Sequence, residues 1–268
     1  MALLPSLARF ARLVVSLLGL ASGAQAQSAA AFDHSHARWS AVLAACVREG
    51  GIAYGKLKAD HAELDAYLAA LHAATPAELA GWSDAQRCAF WINAYNAHCV
   101  RRVLDAYPLK SIRRLDGAGG MNTVFAKPFI PMRAHHPGGK DAELALNDIQ
   151  DGILRKRFKD ARVHAALHNG SKSSPKLRAE AYTADELDAQ LGEQMRTFIN
   201  DPARNRIDLG TKELALSEVF KWFAEDFERE ARSVPEFLVR YAPAEKAEFL
   251  RAAKIRWLPY DWELDDVP

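Results

Sequence analysis

From Ser83 to the residues before Pro108 the chain is apolar on almost every side of a helix. Cys88, Phe90, Trp91, Ile92, Tyr95, Cys99, Val100 and Leu104 spread around it, while Arg87, Ala94, His98, Arg101 and Asp105 share one narrow strip at roughly 100° per residue. Ser83 and Gln86 have the capping-box spacing that starts such a helix, and Pro108 ends it. A helix of this kind is buried on most sides, so the rest of the fold must be assembled around it. Two amides, Asn93 and Asn96, fall on the buried arc. An unmet polar group there costs about 1–3 kcal/mol. Either they tie down neighbouring loops or they line a polar site.

The flanking segments are short and mostly helical. A helix from Ser35 to Glu49 places Trp39, Val42, Leu43, Cys46 and Val47 on one face and stops at Gly50-Gly51. Leu64, Tyr67, Leu68 and Leu71 mark a second helix, and Thr75-Pro76 with Glu78 caps a third. Residues 122–133 read as strand-like pieces broken by Pro128 and Pro131, followed by a polar loop at 135–139. Asn147 with Gln150 predicts a helix through Phe158, Val163–Leu167 a short strand, and Thr183 with Glu186 another helix. Ile207–Leu216 reads as a hairpin turning at Gly210-Thr211, Ser217 opens a helix carrying Phe220, Phe223 and Phe227, and 255–259 is strand-like. The expected class is α+β, mostly helical, with a central buried helix packed on a small antiparallel sheet in one domain.

Residues 1–26 carry the order of a secretory leader: Arg9 and Arg12, an apolar run from Leu13 to Leu20, then Ala24-Gln25-Ala26 before the expected cleavage site. The apolar run is shorter than the roughly 20 residues a membrane span needs. Export to the periplasm or exterior is therefore expected, with residues 27–268 as the mature domain and no membrane insertion. Cleavage would reduce the 35 basic side chains by Arg9 and Arg12 to 33, against 34 acidic ones. That balance points away from nucleic acid as a partner and leaves a small molecule, a peptide or a protein. Of three cysteines, Cys88 and Cys99 sit 11 residues apart on one helix, about 16 Å at 1.5 Å per residue, so they cannot pair. Whether Cys46 pairs with either is open.

Phe90-Trp91-Ile92-Asn93-Ala94-Tyr95-Asn96-Ala97 resembles the hallmark of the domain-of-unknown-function family 547 (DUF 547). Further segments resemble it in the same order: 32–36, Leu146-Asn147-Asp148-Ile149, Gly152-Ile153-Leu154-Arg155, Arg162-Val163-His164 with Ala166-Leu167, and Leu258-Pro259-Tyr260-Asp261-Trp262. The family is grouped with papain-like and transglutaminase-like cysteine peptidase folds. The resemblance thus implies a papain-like core and a thiol nucleophile served by a histidine and an orienting acid or amide. This chain departs from that pattern where it matters. The family's two cysteines stand as Asn169 and Ser174, its preceding asparagine as His168, and its frequent glutamate-histidine pair as Gln150-Asp151.

The turn His168-Asn169-Gly170-Ser171-Lys172-Ser173-Ser174 admits three readings. Ser174 or Ser171 could be a hydroxyl nucleophile served by His164, the backbone around Gly170 with Lys172 could cradle an anion, or the turn could be purely structural. No metal or cofactor is expected: no H-E-x-x-H or C-x-x-C spacing occurs, and on a strand His164 and His168 would stand about 13 Å apart, too far for one zinc. The candidate catalytic residues are His164, Ser174 and Ser171. Asn93, Asn96, His168, Asn169, Gly170, Lys172 and Asp261 are expected to bind or line the site. The leading expectation is an exported binding or scaffold protein with a degenerate peptidase-like site. The alternative is an active hydrolase or acyl transferase using serine, and whether the protein is an enzyme stays open.

Overall fold

The capping signals of the sequence mark where helices begin. In the computed structural model, which describes residues 1, 31–118, 120 and 123–268, Thr75 and Ser83 each form a complete capping box, with Glu78 and with Gln86. The expected leader lies outside the described residues, Met1 apart. Helices α1 (Ala37–Cys46), α2 (Tyr54–Ala59), α3 (Ala62–Ala73), α4 (Pro76–Gly81) and α5 (Asp84–Ala106) follow one another, with a minimal antiparallel ribbon of β1 (Val47–Arg48) and β2 (Gly51–Ile52) after α1. Helix α5 is the apolar one, with fifteen of its residues buried. It packs among helices: α3 and α2 on one side and, on another, the segment Asp148–Leu154.

The segment 122–133 is expected as strand pieces; its described residues, 123–133, instead hold the short helix α6 (Thr123–Ala126), while Ile130 forms an isolated antiparallel bridge to Leu144. Pro128 and Pro131 flank that bridge and leave no room for a ladder. Segment Asp148–Leu154 is a π-helix that passes into α7 (Arg155–Arg157). Its expected cap is different: the Asn147 side chain caps nothing, and Asp148 Oδ2 accepts the Ala145 N–H at 2.7 Å. Val163–Ala166, expected as a strand, is the helical turn α8. The alternation of Val163, Ala165 and Leu167 mimics strand periodicity, but Asp160 accepts the Arg162 N–H and starts a turn, and among the described residues no strand pairs with it.

The second half carries α9 (Leu187–Asn200), the hairpin of β3 (Arg206–Asp208) and β4 (Glu213–Ser217), then α10 (Glu218–Trp222), α11 (Ala224–Ala231), α12 (Val234–Val239) and α13 (Ala247–Ala252), ending in β5 (Arg256–Leu258). Glu186, not a Thr183 side chain, precedes α9, and the Thr183 N–H donates to Gln190. Strand β5 pairs parallel with β4, so the three-stranded sheet β3-β4-β5 is mixed. Residues Phe32–Pro268 form one compact unit with two adjoining apolar clusters. One surrounds α5; the other gathers Phe198, Phe220, Phe227 and Phe237 against the inner face of β4. This is a mostly helical α+β domain. The described residues include no helix long and apolar enough to cross a membrane.

Candidate functional site

The two buried asparagines of α5 act as backbone surrogates. Asn96 donates to the Ala166 carbonyl at 2.9 Å and accepts the His168 N–H at 2.9 Å. Asn93 holds both backbone groups of Tyr182 in the same way, at 2.7 and 3.0 Å. They therefore tie down loops behind the site and do not line it. Asn96 fixes the residues either side of Leu167, and so sets where His164 and Asn169 stand.

Both of those residues line a cleft of about 230 Å³ where the two apolar clusters meet. Asn147, Gln150 and Asp151, at the start of the π-helix, form one wall; Tyr95, Phe223, Trp222, Tyr260 and Trp262 form others. π-Helical turns are rare and recur at functional sites, because the extra residue per turn re-aims side chains. Trp222 sits at the rim, 41% exposed, in a rare state for so large an apolar ring.

His164 is buried in the cleft floor with its ring stacked on Phe223, 3.9 Å between centroids. Its Nε2 lies 2.7 Å from Asp226 Oδ2, and its Nδ1 lies 3.5 Å from the Gln150 amide nitrogen. Asp226, buried at the start of α11, also accepts from Arg155 Nε at 2.5 Å and Arg229 Nη1 at 2.7 Å. Burial pushes the Asp226 carboxyl up, but bonds from His164, Arg155 and Arg229 outweigh it and hold it well below the usual range. Burial likewise dominates His164 and lowers its pKa against the pull of Asp226. An ionised Asp226 accepts only, so the neutral imidazole carries its proton on Nε2 and turns the Nδ1 lone pair toward Gln150. The arrangement is an oriented base, of the kind that serves a nucleophile or accepts a ligand hydroxyl.

The Ser-rich turn lies beside this cleft and closes on itself. Ser171 Oγ donates to Asn169 Oδ1 at 2.6 Å, and Ser174 Oγ accepts the Asn169 N–H at 2.8 Å. Both serines are fully buried, and neither hydroxyl bonds to a histidine among the described residues. The anion-cradle reading meets the same obstacle. The N–H groups of residues 171–174 are donated to Asn169, Glu263, Asp261 and Ser171, and Lys172 Nζ pairs with Glu263 at 2.6 Å on the surface. Gly170 does have φ +79°, and a Cβ there would meet Val103 at 3.3 Å, so glycine serves the turn itself. Asp261 accepts the Glu263 N–H on the exposed side; its neighbours Tyr260 and Trp262 are the ones in the cleft. Tyr260 takes a hydrogen bond from Asn169 Nδ2 at 2.7 Å, and burial raises its phenol to about 12.

His168 has partners of its own and does not line the cleft. Its Nδ1 lies 2.8 Å from the Pro175 carbonyl and its Nε2 is 3.0 Å from Asp265 Oδ2, a buried charge contact beneath the C-terminal segment. The strand spacing that separates the two histidines in the sequence reading does not apply; each ring is engaged by its own carboxylate. Burial lowers the His168 pKa, but Asp265 and Pro175 outweigh it and leave it raised above the ordinary 6.5. A raised histidine stabilises fully below its unfolded pKa and stops doing so as pH rises through its folded pKa. His34, His36, His72, His98 and His164 all shift down, so their contributions are complete once pH exceeds about 6.5. Thermal stability is therefore expected to decline on the alkaline side of pH 6.5, and Asp265→Asn to flatten that decline in melts scanned from pH 6 to 9. An unchanged slope would remove His168 as its origin.

The three cysteines are free and buried, so Cys46 pairs with neither partner. Burial raises the Cys46 and Cys88 thiols to about 11 and 12 and Cys99 further, which keeps all three protonated.

Asp226, Trp222 and Phe223 were not visible as site residues in the sequence. Asp226 lies 62 positions beyond His164, and the one signal was an acid set among phenylalanines.

Fold and site together define a helical α+β domain with an Asp–His pair under an aromatic-rimmed cleft. Residues 79–199 match the family described as protein of unknown function, DUF547. The matched span holds α5, the π-helix, His164 and the Ser-rich turn. No curated protein and no solved structure matches the chain.

Proposed function

We propose that the protein is an exported DUF547-type domain that binds a ligand in the His164 cleft without covalent catalysis. Export rests on the leader pattern of residues 1–26 with cleavage after Ala26. The papain-like or transglutaminase-like ancestry rests on the motif resemblance alone. The observation that carries the reading is the content of the cleft. An oriented imidazole is present, yet Asn169 stands where the resemblance places a cysteine, and among the described residues lining the cleft there is no serine, threonine or cysteine.

Two measurements test this. Broad serine- and thiol-reactive probes are expected to leave the native protein unlabelled; labelling abolished by both Ser174→Ala and His164→Ala would establish the serine hydrolase instead. Asn169→Cys is expected to gain alkylation by iodoacetamide at neutral pH, at least about tenfold faster than the buried native thiols, because position 169 lines the same cleft as the His164 base, whereas the native thiols are shut in the core. A cysteine at 169 as inert as Cys99 would remove the degenerate-site interpretation.

A further inference from the structure

Resting on that binding reading, the cleft's shape and charge also specify its ligand class. The rim is a platform and not a cage. Trp222 and Trp262 lie 5.9 Å apart at 21°, and Tyr260 closes against both at 4.7 and 4.5 Å. A guest held between two rings needs about 3.5–4.0 Å of contact on each face, so it cannot enter between the tryptophans. Arg113 covers Trp262 at 5.4 Å, and Trp262 also meets Phe125. Tyr95, Phe125 and Phe223 also line the cleft, but among its described aromatic residues Trp222 is the exposed one and offers the most open ring.

The same cleft is lined by a set of planar polar groups. The Asn147 amide caps nothing, Gln150 makes a single long contact to His164, and Asp151 uses Oδ1 on Arg155 at 3.0 Å. The ion pair with Arg155 balances the Asp151 charge. No lysine or arginine lines the cleft among the described residues, and the His164 imidazole is neutral and offers an acceptor. The nearest cation, Arg155, lies over Phe223 and is paired with Asp151 and Asp226, so an anionic ligand finds no unpaired cation among the described lining residues. A cationic one finds neither an enclosing ring of aromatic faces nor an unbalanced carboxylate. A neutral ring with an apolar face and a hydroxylated edge fits both surfaces: its C–H face packs on the indole, and adjacent hydroxyls bridge carboxylate and amide. The volume, about 230 Å³, is below the roughly 300–1,000 Å³ of drug-sized pockets and suits one such ring.

We propose that the cleft is a saccharide site, in which one neutral pyranose stacks on Trp222 and hydrogen-bonds through its hydroxyls to Asp151, Asn147 and Gln150. The sugar is a free monosaccharide or one residue of a neutral glycan chain.

The test titrates the full mature chain by tryptophan fluorescence and calorimetry with glucose, N-acetylglucosamine and their β-1,4 tetramers. A galacturonate tetramer and a trilysine peptide serve as anionic and cationic counterparts. Saturable binding of a neutral saccharide is expected, at least about tenfold tighter than of either charged probe. A tetramer that outbinds its monomer assigns a chain; equal affinities assign a single residue. Trp222→Ala, at an exposed position that spares the core, and Asp151→Ala are each expected to weaken binding about tenfold or more, with circular dichroism unchanged. The proposal is overturned if no neutral saccharide saturates at millimolar concentration, if a charged probe binds more tightly, or if both folded variants bind as well as the parent. Saccharide failure with no covalent labelling removes the ligand class and leaves the binding reading standing, whereas covalent labelling removes the binding reading itself.

Discussion

Replacing Asn96 by alanine is expected to cost about 2–6 kcal/mol of folding stability, because it strands two backbone groups in the core. The Ala166 carbonyl and the His168 N–H each lose their partner, and each unmet buried group costs about 1–3 kcal/mol. Set against a typical domain stability of about 5–15 kcal/mol, that is a large fraction. Water cannot substitute easily, since Asn96, Ala166 and His168 are all buried. Urea denaturation of parent and variant measures the loss, and hydrogen exchange at the His168 amide localises it. A loss below about 1 kcal/mol would show that the loop is held by other means. The same variant should loosen the wall that carries Leu167 and Asn169, so any ligand affinity is expected to fall with stability.

That double role explains which parts of this molecule can be read from its sequence. Capping boxes at Thr75 and Ser83 and the periodicity of α3 and α5 depend on neighbours within a turn or two, and they are legible. So is the hairpin at Gly210, and the need of Asn93 and Asn96 for partners. What those partners are is not legible, because Tyr182 and Ala166 lie 89 and 70 residues away. The reading of Val163–Leu167 as a strand fails for a related reason. Five residues with apolar side chains at 163, 165 and 167 suit either a strand or a turn, and the arbiter is the Asp160 side chain just upstream. At the site, His164 could be named from the chain alone, but its orientation could not. Asp226, Arg155 and Gln150 come from three separate elements, and the aromatic rim unites α10 with the C-terminal segment. The Ser-rich turn draws attention through composition, and its hydroxyls are spent on Asn169, on Tyr260 and on the Asp261 N–H.

Asp226→Asn is expected to have the second large effect, about 2–3 kcal/mol of destabilisation together with a loss of order at His164. The carboxylate accepts from three donors at once, and hydrogen bonds to charged groups are worth about 1.5–3 kcal/mol each. The cost stays near the value of one such bond because Arg155 keeps Asp151 and Arg229 reaches solvent. An asparagine also brings two donors toward Arg155 and His164, so its amide cannot satisfy both. The proton on Nε2 is then no longer enforced, and the imidazole nitrogen shifts in 15N spectra should move toward a tautomer mixture. The pH dependence has a definite sign. A carboxyl held below its usual range contributes stability fully above its unfolded pKa, near 3.9, and loses it as pH falls through its folded value. His164, lowered by burial, adds to the same limb, since protonating it below about 6.5 opposes folding. The parent should therefore lose stability below about pH 6 through His164 and further below about pH 4 through Asp226, and Asp226→Asn should lack the carboxylate's limb below about pH 4. Equal acid slopes for the two proteins, or an unchanged 15N signature, would show that Asp226 neither carries the ion-pair energy nor sets the histidine's tautomer.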